Sequence, residues 1–506
     1  MLALVLLLLA LVTLAQVMRA RRKRRPGEPP LVQGWIPYLG KALDFRKDSF
    51  NFLEDLRRKH GDVFTVLIAG RYVTFILNPL HFPSIIKHGR QLDLHEFTNI
   101  VAPYTFGYSP ANPEHFPGLR EQIEKSFQLL QGSHLSPLSD NMMRNLLLVF
   151  REDYLSCGGQ STEWKISQLY DFCLSIALET SFMTMYGRTA LEQKQRNLEQ
   201  IRQDFVFFDN KLPLLMAQVP LWLLGNIKSV RQKLIDCFLP NVMSKWSSPS
   251  PFIQHRSFLF EQYDLSSQDR AAQHFAMLWA SVGNTSPAMF WCVYYLLRHE
   301  EALQAVRLEL QEVMSQEELE VRPDSDQVLT QEQLDKLVVL ESVVSETLRL
   351  STFSMNVRVA QEDLSLSLDS TWSIRKGDIV SIFPHNTHMD PEIYPDPMSF
   401  HFDRYLDNGK EKTNFYKSGQ RVKYYLMPFG SGATKCPGRY LAVQEIKQFV
   451  CLLLLLFDVE LCDPKTVVRP NLTRAGLGIM QPAHDVYFRY RLRRPLQVST
   501  STKPIL

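Results

Sequence analysis

Residues 269–312, DRAAQHFAMLWASVGNTSPAMFWCVYYLLRHEEALQAVRLELQE, carry one long helical pattern whose middle is apolar on nearly every side. A helix without a polar face is stable only when other elements surround it. The chain must therefore build a large body around this segment, and helical patterns do dominate residues 120–350. At its centre the segment holds Gly283, Asn284, Thr285, Ser286 and Pro287. Glycine costs about 1 kcal/mol and proline about 3 kcal/mol inside a helix. Pro287 would also collide with the carbonyl of Gly283, four residues back. So costly a polar break in a buried helix suits a ligand or a reaction; a kink that serves packing alone is the competing explanation.

The 506 residues are 45% apolar and 22% charged, which suits a globular protein with a substantial core. A net charge of +3 gives no overall attraction for nucleic acid. The seven cysteines (Cys157, Cys173, Cys237, Cys292, Cys436, Cys451 and Cys462) form no CxxC pair. That argues against a disulfide scaffold or zinc ribbon and for reduced thiols in a cytosolic setting. Residues 1–18, MLALVLLLLALVTLAQVM, are apolar over about one membrane-helix length. The basic run RARRKRR follows them, whereas a cleaved signal peptide carries its charge ahead of the apolar stretch. A retained transmembrane anchor is expected, with residue 19 onward in the cytosol. Pro26, Pro29, Pro30, Gly27 and Gly34 make residues 19–37 an extended, stiff hinge. Residues 38–506 are read as one catalytic body.

Within that body, DSFNFLEDLRRKH reads as a helix stopped by Gly61, and VFTVLIA and YVTFILN as a hairpin turning at Gly70–Arg71. TQEQLDKLVVLESVVSETLRLS is a helix that places Glu346 and Arg349 on one face. MNVRVA, LSLSL and DIVSIFP are strand-like. The Pro-rich loop after them needs an anchor, for which Arg404 is the candidate. The stretch LMPFGSGATKCPGRYLAVQEIKQF sets a single thiol, Cys436, among glycines just before a helix. A helix N-terminus and nearby N–H groups favour thiolate, a good metal ligand. One thiolate beneath a flat macrocycle fits haem ligation of the oxygen-activating kind; a buried structural cysteine is the competing explanation. A Cys–His catalytic pair would need a positioned histidine, and no local pattern offers one.

Along nearly its whole length the sequence resembles the cytochrome P450 superfamily. The family's F-x-x-G-x-R-x-C-x-G loop stands here as FGSGATKCPG, matching Phe429, Gly432, Cys436 and Gly438; its E-x-x-R stands as ETLR, Glu346 to Arg349; and Arg404 in FDRY matches the third member of its structural triad. The resemblance implies a mainly α fold with small β-sheets, haem b with Cys436 as its axial thiolate, and Arg358 of NVRVA against a haem propionate. It departs in three places. The haem-loop arginine is Thr434, and no WxxxR occurs around residues 110–135, which leaves Arg358 and Lys435 as candidate propionate partners. The helix motif A-G-x-D/E-T reads ASVGN, with Gly283 for the acid and Asn284 for the alcohol. Thr285 lies about 100° further round the helix and is poorly placed to stand in, whereas Asn284 can both donate and accept.

Asn284, LWAS, PAMFW and GIMQPAHDVYFRYRL look like the sterol 7α- and 12α-hydroxylases and prostacyclin synthase. That resemblance implies a monooxygenase using O2 and NADPH-derived electrons from a separate reductase to hydroxylate an oxysterol at carbon 7, at the endoplasmic reticulum membrane. Cholesterol 7α- or sterol 12α-hydroxylation, an endoperoxide isomerase, and a non-enzymatic haem or sterol binder are the alternatives. The expected substrate pocket is Trp279, Ala280, Gly283 and Asn284 with Phe353, Met355 and Val357, and then Leu477, Gly478 and Ile479. Lys410, Lys412, Lys417, Arg421, Lys423, Lys435, Arg439 and Lys447 are expected to offer a basic face to the redox partner.

Overall fold

The computed structural model describes residues 22–493, except residues 111, 156–162, 189–190, 323–324 and 433–434. Residues 1–18, read as an anchor, and Thr434 lie outside the described residues. Among the described residues no helix is long and apolar enough to cross a membrane.

Helices form most of the body, with small sheets beside them. The largest sheet contains β1 (Leu31–Val32), β2 (Val63–Ile68), β3 (Arg71–Ile76), β4 (Leu92–Asp93), β5 (Asn356–Ala360) and β6 (Ile379–Ile382), in the order β1-β2-β3-β6-β5-β4. The hairpin β2–β3 pairs Val63 with Ile76 and Ile68 with Arg71. Its turn is Ala69–Gly70, both at positive φ, one residue earlier than the sequence suggests, because Arg71 is already paired. β1 comes from the segment read as a hinge. It runs parallel to β2, and Arg22 donates to both carboxylate oxygens of Asp378 at 2.6 and 2.7 Å. The described part of that segment is thus docked on the sheet.

α1 (Ser49–His60) starts where the Asp48 side chain accepts the Asn51 N–H, and it stops at Gly61, φ 84°. The helices that build the site are α2 (Leu169–Tyr186), α3 (Leu191–Met216), α4 (Ser267–Val282), α5 (Thr285–Arg298), α6 (Val338–Ser351) and α7 (Arg439–Leu456). The long apolar pattern is therefore three helices. It breaks at Gly283–Asn284 and again at His299, an extended residue that starts a separate helix, Glu300–Gln316, with two glutamates in its first turn. Pro287 is the third residue of α5, where a backbone N–H has no helical partner to lose. α5 is buried against α2, α6 and α7, and Met289, Cys292, Val343, Phe449 and Leu452 meet in the largest core cluster. This packing fixes the helix break relative to the thiol loop that leads into α7.

Candidate active site

The thiol loop closes on itself. The Cys436 N–H donates to the Phe429 carbonyl at 2.8 Å, and the Lys435 N–H to that of Gly432 at 3.3 Å. Gly432 has φ +64°, and a Cβ there would lie 2.6 Å from the Cγ2 of Ile86, so this position admits no side chain. Cys436 has accessible surface, yet protein surrounds it closely enough that burial raises its pKa, against the N–H of Gly438 and the charge of Arg439. Arg358, on β5, is buried and donates from Nη2 to the Ser431 carbonyl and hydroxyl, each at 3.1 Å. Lys435 is exposed, and Phe429 is half-buried against the main core. A single accessible thiol, backbone N–H groups and a buried guanidinium beside the same loop fit a thiolate-ligated macrocycle with an anionic edge. Among the described residues no group of three or more His, Cys, Asp and Glu offers an alternative metal centre.

The side chains of Glu346, Arg349 and Arg404 meet. Arg349 makes a two-pronged bond to the Glu346 carboxylate at 2.7 and 2.8 Å, and Arg404 Nε donates to the same carboxylate at 2.9 Å. Arg349 Nη1 also donates to the carbonyls of His388 and Pro397 and Nη2 to that of Ser399, and the remaining nitrogens of Arg404 reach Pro395, Asp396 and Ser399. The two guanidiniums tie the Pro-rich loop to α6 by its own backbone. Glu346 and Arg349 are fully buried, so each side chain is the other's compensation for lost water.

At the helix break, Asn284 is the residue preceding α5, and its Oδ1 accepts the N–H of Ile479 at 2.9 Å. That bond fixes which end of the carboxamide is oxygen and leaves the Nδ2 donors for another group. The Thr285 hydroxyl bonds the Ser281 carbonyl at 2.8 Å and is thereby occupied. Ala280 is exposed on α4, whose Ala271, Phe275, Leu278 and Val282 are buried. Gly283 faces the Trp279 indole: a Cβ there would lie 2.9 Å from Cε2. Trp279 Nε1 donates to Asp209 on α3 at 2.9 Å.

The two distant stretches proposed for the pocket pair with each other. The Phe353 N–H donates to the Gly478 carbonyl at 2.9 Å, and the Gly476 N–H to that of Phe353 at 2.7 Å. Met355 packs beside Gly476, and Leu477 joins Trp279 at one core cluster. Phe353 and Val357, however, belong to the core of the sheet, where Phe353 stacks on His385 with ring centres 3.6 Å apart. The Ile479 side chain is in the main core; its contribution here is its backbone N–H. Two members of the expected basic face are also otherwise engaged. Lys447 is buried and bonds Glu341 at 3.0 Å, and Lys417 bonds Asp390 at 2.6 Å.

Residues 29–488 match the family model of cytochrome P450. The chain belongs to the cytochrome P450 family. It is 40% identical to mouse "Cytochrome P450 7B1", covering 94% of this chain and 92% of that one. It is 40% identical to the "Cholesterol 7-alpha-monooxygenase" of Cricetulus griseus, over 94% and 95%. To the human "7-alpha-hydroxycholest-4-en-3-one 12-alpha-hydroxylase" it is 38% identical, over 93% and 94%. As in the family generally, haem with cysteine-thiolate ligation goes with this fold; in this chain the Ile479 N–H ties the C-terminal loop to the helix break.

Proposed function

We propose that this cytochrome P450 is a monooxygenase that places one oxygen atom of O2 on carbon 7, α face, of an oxysterol or related steroid. The observation that carries the reading is the Asn284 carboxamide held by the Ile479 amide at the helix break, in a chain whose relatives are named for 7α- and 12α-hydroxylation of sterols. When bound, haem supplies the binding and reductive activation of oxygen. Cys436 would hold its iron, Arg358 and Lys435 its carboxylates, and Glu346, Arg349 and Arg404 the surrounding loops. Asn284 takes the place of the usual acid–alcohol relay: with Oδ1 fixed, its Nδ2 hydrogens can order a water or an oxygen atom on the reaction side. Ala280, exposed on α4, leaves room for the flat sterol beside it, and Met355 and Leu477 supply apolar contact.

NADPH-derived electrons would arrive from a separate reductase at the face bearing exposed Lys410, Arg421, Lys423 and Lys435, with the half-buried Lys412 and Arg439. Residues 1–18 would anchor the protein in the endoplasmic reticulum membrane as a single span, residues 19–37 connecting them to a cytosolic body of residues 38–506. The test is reconstitution with reductase and NADPH on 25-hydroxycholesterol, cholesterol and a 7α-hydroxylated 3-keto sterol. A 7-hydroxylated oxysterol as main product supports the reading. Hydroxylation of cholesterol or at carbon 12 moves the chain to a sister specificity. Rearrangement of a lipid endoperoxide without reductant, and no sterol product with it, makes it an isomerase, and binding without turnover of either makes it a carrier.

A further inference from the structure

Asp209 sits in the interior of α3 with 4% of its surface exposed, and three side chains converge on it. Its Oδ1 accepts from Trp279 Nε1 at 2.9 Å and from Arg474 Nη2 at 3.0 Å; its Oδ2 accepts from Gln481 Nε2 at 2.5 Å. Its backbone carbonyl accepts from Arg474 Nη1 at 2.7 Å. That carbonyl is available for a local reason. Its helical partner would be the N–H four residues on, and residue 213 is proline. Arg474, itself 4% exposed, fills the gap. One residue of α3 thus holds α4, just before its break, and the C-terminal loop that carries Leu477, Gly478 and Ile479.

A buried ion pair is weak support for stability, since an apolar pair of similar volume often does as well, but it can hold one arrangement against others. Here the arrangement held is that of the Trp279 indole. The ring lies on Gly283, where a Cβ would be 2.9 Å from Cε2 and 3.0 Å from Nε1. It fills the space that a side chain at 283 would take, next to Asn284. We propose that Asp209 is a positioning residue that pins the Trp279 indole and the C-terminal loop as one unit, and that this unit sets which carbon of the sterol is hydroxylated. The proposal rests on the sterol-hydroxylase reading of the site.

The test compares holoenzyme carrying Trp279→Phe, which removes only the Nε1 donor and one ring, with the double variant Asp209→Leu/Arg474→Met, which replaces the buried ion pair by apolar side chains. Three readouts are taken: the ratio of hydroxylated positions, the sterol affinity from the substrate-induced spin-state shift, and hydrogen exchange of residues 472–482. Both variants are expected to keep the carbon monoxide spectrum of a thiolate haem. Both should lower the ratio of 7-hydroxylated to other products by about fivefold, the scale of one lost hydrogen bond. The double variant should speed exchange in 472–482. Wild-type product ratio and affinity in Trp279→Phe overturn the proposal. Loss of the haem spectrum in the double variant shows a structural role for the ion pair and leaves Trp279→Phe to decide. If the wild type makes no sterol product, the sterol reading fails; unchanged exchange in the double variant would separately overturn the pinning of the C-terminal loop by Asp209.

Discussion

Replacing Gly478 by alanine adds one methyl group and tests the geometry of the helix break. The new Cβ would stand 2.2 Å from Asn284 Oδ1 and 3.1 Å from its Cγ. Real Cβ contacts begin at 3.0 Å, so the oxygen must retreat by roughly 0.8 Å even to touch. It cannot do so and keep its 2.9 Å bond from the Ile479 N–H. The backbone at 478, φ +135°, is also outside the range comfortable for alanine, a strain on the order of 1–3 kcal/mol. The lost hydrogen bond adds about 1 kcal/mol. A total near 2–4 kcal/mol is within what a large buried core can tolerate, so the variant should fold and take up haem. Displacing a group that orders the reacting oxygen by about 1 Å can cost around 100-fold in rate. The assay is turnover of the sterol with reductase, beside the reduced carbon monoxide spectrum and a spin-state titration. Turnover down by one to two orders of magnitude, with the spectrum intact, is expected. Unchanged turnover in a variant that keeps the wild-type spectrum would refute the role given to Asn284 and its backbone clamp.

Three further outcomes follow from the same structure. Arg404→Ala removes the 2.9 Å bond to the buried Glu346 carboxylate and three loop carbonyl contacts; thermal and denaturant unfolding should show a loss of about 3–5 kcal/mol, with weaker haem retention. Asn284→Ala should depress turnover much more than sterol affinity, while Thr285→Ala, which deletes only a bond to the Ser281 carbonyl, should cost about 1 kcal/mol of stability and little rate. Glu445 is buried beside the Ser181 hydroxyl, and burial pushes its pKa up to about 8. The folded state therefore holds a proton that the unfolded state gives up above about pH 4.5, so Glu445's own contribution to stability is fully present below about pH 4.5 and declines as pH rises to about 8. Denaturation midpoints in Glu445→Gln should lose that slope.

Much of the architecture could be read from residue pattern. An all-round apolar helix demanded a helical body, and the cost of glycine and proline inside it located the break to within a few residues. Proline misled on the exact place, because Pro287 is harmless in the first turn of α5; the chain gives way at Gly283–Asn284. Glu346 and Arg349 were legible from helical spacing, Arg404 from its place in the Pro-rich loop, and Cys436 from the glycines around it and the helix after it; the resemblance added their joint roles. What depended on tertiary pairing was not. Alternation in a strand does not say which face meets a ligand, and the sheet core took Phe353 and Val357. Lys447 looks like a surface charge until α7 is seen to be buried along most of its length. Asp209 carried no signal in the sequence; its carbonyl, orphaned by Pro213, and Arg474 from the far end of the chain make it a junction.

The central claim, a haem-thiolate monooxygenase acting on a sterol, is tested most directly by isotope. The holoenzyme with reductase, NADPH and 25-hydroxycholesterol is run under 18O-labelled O2, and the product is analysed by mass and position. One labelled oxygen at carbon 7, dependent on NADPH, is the predicted result. A sterol product without label, or no sterol product alongside reductant-free rearrangement of an endoperoxide, would contradict it.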